Sequence, residues 1–193
     1  MSAAMTDVTF TSIVTERLVL RRFAPDDAAA FSAYRSDAEV ARYQSWETPF
    51  GLDQARGFIS GLGAAHPDTE GQWFQFAVTL SGGLIGDIGL HALDGDPASV
   101  EIGYTFDPAF AGHGYAGEAV AAIVDYAVDR RGKNEVMAWT DTRNTRSAAL
   151  LERLGFVVDP ASRHRNLFKG AWCDEDRYVM TAGAWRQLSR LSS

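Results

Sequence analysis

Between Asp107 and Ala121 the chain reads DPAFAGHGYAGEAVA, in which Gly112, Gly114, Ala116 and Gly117 carry nothing larger than a methyl group. Backbone N–H groups in such a loop can turn into one cavity. The helix that opens behind it adds the positive end of its dipole, and together they form a cradle for a phosphate. A Gly-x-Gly of this kind also serves as a plain helix-opening turn, so the surrounding groups decide. Glu101 lies upstream at a strand start, where it reads as a general base or as a solvent-facing or arginine-paired carboxylate. Downstream, Asn144-x-x-Ser147 offers an amide and a hydroxyl, and Cys173 is the single thiol, far from any histidine that would activate it.

These groups need a frame. Val100 to Phe106 (VEIGYTF) reads as a strand delivered straight into the glycine loop, a unit that places anions at the carboxyl edge of a sheet. In the helix after it, Ala116, Ala119, Val120, Ile123, Val124 and Ala127 share one face. Glu118 in its first turn reads as a partner of the helix dipole, and Arg130 to Lys133, with Gly132, closes the helix. Asn134 to Thr140 is the next expected strand. Asn144 then caps a short helix with an apolar stripe of Leu150, Leu151 and Leu154, which ends at Gly155.

Upstream, Glu16 to Phe23 alternates as a strand, Pro25-Asp26-Asp27 opens a helix through Tyr34, and a second helix covers Leu52 to Leu62. The loop Arg42 to Phe50 between them carries Tyr43 and Trp46, which read as walls of a substrate pocket or as aromatics folded onto the core. Trp73 to Leu80 and Leu84 to Leu93, joined by Ser81-Gly82-Gly83, predict a hairpin. Gly86 and Gly89 within it suggest a bulge or a close backbone approach. His91 at its end reads as ligand-facing or simply hydrogen-bonded. Two last strands are expected around Phe156 to Val158 and Arg177 to Met180, joined by a basic loop containing Arg163, His164 and Arg165.

At 193 residues and 46% hydrophobic content the chain suits one domain with a sizeable core, expected over residues 15–193 behind a flexible, unpatterned segment 1–14. A net charge of −7 without a basic run argues against a nucleic-acid partner. One cysteine excludes a disulfide framework and a cysteine metal cage. The absence of a leader and of a membrane-length apolar run leads to an expected cytoplasmic location with no membrane partner.

Taken in order, EIGYTFDPAFAGHGYAGEA, NTRSAALLERLGF and NLFKGAWCDEDRYVM resemble the GNAT superfamily of acyl-CoA-dependent N-acetyltransferases. More narrowly they look like the branch holding the ribosomal-protein N-terminal acetyltransferases RimJ and RimL. The resemblance spans about Thr15 to Met180. It implies an α+β (α/β) fold in which a mixed, strongly twisted sheet splays at its centre with helices on both faces. It also implies acetyl-CoA as co-substrate: pyrophosphate on the loop of Ala111, Gly112, His113, Gly114, Tyr115, Ala116 and Gly117, and pantetheine against the strand edge at Tyr104, Thr105 and Phe106. Asn144 would then hold the pantetheine, as an alternative to capping its helix. Glu101 resembles the family's base, and Ser147 the donor of a proton to the departing thiolate. Tyr43, Trp46 and His91 are the acceptor-side candidates.

Two departures from the family pattern stand out. Ala111 replaces a Gln or Arg that touches the phosphates, and Leu151 replaces a tyrosine acid. The chemistry implied is direct attack of a primary amine on a thioester, which requires no metal. The amine belongs to a protein N-terminus or a small molecule. A closed pocket favours the small molecule, and an open groove the peptide. A silent acyl-CoA-binding module is the alternative, a nucleotide-binding domain lacks its lysine and acidic signatures, and a homodimer is left open by exposed strand edges.

Overall fold

The computed structural model describes residues 10–63 and 65–191. Eight strands form a single sheet, comprising β1 (Ser12–Val14), β2 (Leu18–Arg21), β3 (Trp73–Leu80), β4 (Gly83–Ala92), β5 (Ser99–Phe106), β6 (Glu135–Asp141), β7 (Val157–Phe168) and β8 (Ala171–Thr181). Their order is β1-β2-β3-β4-β5-β6-β8-β7, and every neighbouring pair is antiparallel except β5 and β6. The expected α+β architecture with helices on both faces is present. On one face α4 (Tyr115–Asp125), prolonged by a π turn at Tyr126–Arg130, sets Val120, Ile123 and Val124 against Ile88, Leu90, Val100 and Ile102. On the other, α1 (Ala28–Arg35) and α3 (Leu52–Gly61) close over Ala77 and Leu84.

The parallel pair positions the site. β5 and β6 pair only through Ser99, Val100 and Glu101 against Glu135, Val136 and Met137. Beyond that point β5 stays with β4 as far as Phe106, while β6 stays with β8 as far as Asp141. One sheet therefore opens into a V, and the inner edge of β5 is left without a strand.

Several expectations change. Phe10 is buried and meets Phe74 and Phe76 edge-on, and Ser12–Val14 adds β1, so the flexible segment expected through residue 14 is ordered from residue 10. Residues 1–9 lie outside the described residues. The basic loop at Arg163 to Arg165 is instead part of β7, and one long hairpin replaces the two short strands, with an irregularity between Asp159 and His164. β7 is an edge strand exposed along most of its length, so its polar residues show no alternation to read. Two helices had no counterpart in the reading: α2 (Ala38–Ala41), capped by Asp37, and α6 (Ala182–Leu191), which buries Trp185. Between these helices stands α5 (Thr145–Arg153), whose Leu150 and Leu151 join the α4 core as expected.

Candidate functional site

The V encloses a cavity of about 800 Å³ between β5 and β6, floored by the glycine loop and the start of α5. At its loop end Asp107 accepts from the Ala109 N–H, a 3-10 turn spans Pro108–Phe110, and Gly114 (φ 81°) opens α4 in the left-handed region. Among the described residues, no acceptor takes the backbone N–H groups from Gly112 through Gly117. The first N–H turned inward is that of Glu118, which meets Gly114 O. This run of donors at a helix start is a preformed anion cradle. Gly112, Gly114, Tyr115, Ala116 and Gly117 line it. His113 contributes only its N–H, since its ring turns back to Ala111 O (2.9 Å) and stacks on Tyr115. Ala111 lines the cavity as well, but its N–H is spent on Pro108 O, so it adds no free donor.

Arg17, which the sequence did not single out, flanks the cradle. Its guanidinium binds His113 O (2.9 Å) and Glu118 (2.6 Å) and lies over Tyr115, while Glu118 also takes Thr15 and the Arg17 N–H. Glu118 therefore ties the β1–β2 turn to α4 rather than serving only the helix dipole. Arginine and threonine bonds outweigh its burial and lower its pKa.

Along the wall, Gln44 Nε2 reaches Tyr104 O (3.5 Å), which places the Tyr104 backbone on the open edge of β5. Backbone groups alternate in an antiparallel ladder, and Asp107 N–H meets Ile85 O on the β4 side. Tyr104 and Phe106 thus present their backbone to the cavity, whereas Thr105 turns its own to β4 and offers only a side chain. Asn144 caps α5 by accepting the Ser147 N–H with Oδ1 (3.2 Å). Cap and cofactor contact are not exclusive after all, because its amide nitrogen is a separate donor.

The side chains of Tyr104 and Ser147 meet here as well. Tyr104 Oη lies 2.8 Å from Ser147 Oγ, and burial pushes the phenol up to about 12, so it stays protonated through neutral pH. Leu151 is fully buried in the core and faces no chemistry. Cys173 is buried too, with a thiol raised by desolvation and turned to Asn166 O, which removes it as an acyl carrier.

At the base of the V, Glu101 sits where the parallel pairing ends. Among the described residues its only ion-pair partner is His91, with Nδ1 3.7 Å from Oε2. Burial, opposed by His91 and reinforced by Glu175, raises its pKa above the ordinary 4.5. His91 stacks on Trp73 at 4.9 Å, so it borders Glu101 rather than the main cavity. A Cβ at Gly89 would stand 2.7 Å from the Trp73 ring; the close approach read into that glycine is to an indole.

Tyr43 and Trp46 part company. Tyr43 lines the cavity and donates to Arg143 O (3.2 Å) across the V. Trp46 packs on the core, covers the Arg35 guanidinium at 3.9 Å and donates to Arg35 O, so it is no pocket wall. Lys169, at the tip of the β7–β8 hairpin, binds Ala41 O (3.0 Å) and Trp46 O (2.5 Å) and straps that hairpin to the same loop. Arg17, Gln44, Lys169 and Glu175 carry no local motif. The tertiary fold brings Gln44 and Glu175 to the cavity lining, and sets Arg17 beside the loop and Lys169 against the segment that carries Tyr43. No group of His, Cys, Asp and Glu that could hold a metal ion occurs among the described residues, and no helix there is long and apolar enough to cross a membrane.

The comparisons agree with this geometry. A family model described as an acetyltransferase (GNAT) domain matches residues 17–157. The uncharacterized N-acetyltransferase YoaA of Bacillus subtilis is 31% identical over 169 residues, which make up 88% of this chain and 96% of that protein. A GNAT-family acetyltransferase structure from Bacillus anthracis superposes with a TM-score of 0.78 at 26% identity, covering 90% of this chain and 99% of that one. RimL, a ribosomal L7/L12 alpha-N-protein acetyltransferase solved in complex with coenzyme A, superposes with a TM-score of 0.75 over 90% of this chain and 99% of its own. At 18% identity that likeness is one of fold.

Proposed function

The chain belongs to the GNAT acetyltransferase family, and from that premise we propose that it transfers acetyl from acetyl-CoA directly to a primary amine held in the same cavity. One observation carries the reading. The V between β5 and β6 has unmet N–H donors at one end and, below its lining at the rung where the two strands part, the Glu101 carboxylate, which no arginine among the described residues neutralises. The donors suit a pyrophosphate, and the Tyr104 and Phe106 edge suits the amides of a pantetheine arm. Arg17, paired with Glu118, braces the loop through His113 O rather than replacing the phosphate contact that Ala111 lacks.

Acetyl-CoA brings the activated acyl group, and the residues manage protons and charge. An alkyl ammonium must lose a proton before it attacks. Glu101, whose pKa burial raises, takes that proton directly or through one water. As the C–S bond breaks, Ser147 donates toward the departing sulfur. Tyr104, protonated across this range, holds the serine hydroxyl in place.

Release of free CoA thiol from acetyl-CoA in the presence of primary amines tests the reading. Wild type should release thiol well above the buffer rate, Glu101→Gln should lose most of that rate, and Ser147→Ala should lose part of it. Failure of acetyl-CoA to bind would overturn the proposal at its centre.

A further inference from the structure

Resting on the acetyltransferase reading, we propose that the acceptor is a small amine bearing a second positive charge, and that Glu175 is the residue that selects it. The pattern of neutralisation in the molecule points there. Among the ion pairs of the described residues, every carboxylate whose side chain is no more than 27% exposed is held by an arginine, with two exceptions. Glu101 (24%) has only His91, and Glu175 (22%) has only His164 for an ionic partner. Within that set of partly buried, ion-paired carboxylates, these two alone are left without an arginine.

They share a face of the sheet. Glu101 pairs in register with Met137, and Asp141, an even number of residues along β6, pairs with Glu175. Side chains at alternate positions of a strand point the same way, so both glutamates stand on one side, one at the base of the V and one toward its mouth. Their charges feel each other, for Glu175 helps to raise Glu101. Four residues of β6 separate the two rungs, roughly 13 Å of strand, which the two side chains shorten from both ends. That span exceeds what one ammonium can bridge and suits two cationic centres on a short chain. Trp73 stacked on His91 and Trp139 against His164 flank the two acids with aromatic surface that favours a cation.

The cavity is also polarised. Arg146 and Arg153 line it without a carboxylate partner among the described residues, and both belong to α5, whose Leu150 lies against Gly117 in the first turn of α4. The unpaired arginines thus stand on the α5 side of the cavity and Glu175 on the β8 side. The Lys169 strap ties the β7–β8 hairpin to the loop whose Tyr43 and Gln44 line the cavity, and a wall held in this way favours a small molecule over a folded protein's terminus.

The experiment compares kcat/KM for thiol release with butylamine, 1,4-diaminobutane, longer diamines and a neutral tetrapeptide, using wild type, Glu175→Gln and Glu175→Arg. A diamine should surpass the chain-matched monoamine by about tenfold, the effect of roughly 1.4 kcal/mol from one partly screened charge pair. Glu175→Gln should bring that ratio close to one, and Glu175→Arg should invert it. The wild-type ratio should also shrink as salt is raised, a measurement independent of any variant's folding. Equal use of monoamine and diamine, a ratio that survives Glu175→Gln, or preference for the neutral peptide would overturn this inference while leaving the acetyltransferase reading intact. No thiol release with any amine, together with no binding of acetyl-CoA, would sink both.

Discussion

Asp87 and Glu101 sit on adjacent strands, on the same face of the same sheet, and the protein treats them in opposite ways. Asp87 is closed over by α1, accepts from Tyr34 Oη (2.5 Å) and Arg35 (3.0 Å), and the Arg35 guanidinium is in turn covered by Phe31 and Trp46. Glu101, four rungs away, has among the described residues only a histidine at 3.7 Å for an ionic partner. Where every charge is matched from within, the sheet is holding itself together; where a charge is left unmatched beside a cavity, it is waiting for a ligand. The contrast turns on α1, which covers the first carboxylate and stops short of the second.

The contrast breaks if the two carboxylates respond alike to removal. Asp87→Ala leaves Arg35 buried without its partner and should cost about 3–5 kcal/mol of stability in urea unfolding. Glu101→Ala, at a half-buried site with no arginine to orphan, should cost less than about 1 kcal/mol in the same experiment. Equal losses would mean that Glu101 is structural.

Activity should show the reverse order. Glu101→Gln should lower kcat by about 10²–10⁴ with little change in stability, whereas a conservative change far from the V should not. The pH profile sharpens the point. A base works only when deprotonated, so kcat/KM should rise with pH along a limb placed above 4.5, because burial raises Glu101, and that limb should vanish in Glu101→Gln. A limb that survives the substitution would assign the base elsewhere.

How far the site could be read in advance follows the same division. The strand-loop-helix unit, the α5 cap at Asn144 and the hairpin of β3 and β4 were legible, because each depends on residues close in sequence. Glu175, Gln44, Arg17 and Lys169 were not, since their place depends on strand order and on β7 and β8 forming one long hairpin. Trp46 stayed open between two readings, of which core packing holds, because an aromatic in a polar loop has the same signature whether it lines a pocket or covers a buried arginine. That the Ala111 N–H is taken was hidden for a different reason, as a loop N–H can be claimed by a local turn, here by Pro108 O.

Gly114 offers a smaller test of the unmatched region. At φ 81° a side chain costs about 1–2 kcal/mol, and the nearest atom to a new Cβ would be Arg17 Nη2 at 3.5 Å, so the strain rather than a clash is what a substitution adds. Gly114→Ala should therefore shift the loop, weaken acetyl-CoA binding in calorimetry by up to about tenfold, and leave the unfolding midpoint lowered by no more than that strain. Unchanged affinity would remove the loop from the binding site.

The finest distinction concerns Tyr104, whose hydroxyl touches Ser147 and nothing catalytic directly. If the pair is only a packing contact, Tyr104→Phe should cost the ~0.5–1.5 kcal/mol of one hydrogen bond in stability and leave kcat alone. If the phenol holds the serine hydroxyl toward the departing sulfur, kcat should fall about tenfold, KM for acetyl-CoA should hold, and a thioester with a more acidic thiol should recover most of the loss, because a better leaving group needs less help. The double variant with Ser147→Ala should then be no slower than Ser147→Ala alone, since a tyrosine that acts through the serine has nothing left to position. Additive losses would place the two hydroxyls on separate tasks and return Tyr104 to the structural side of the comparison.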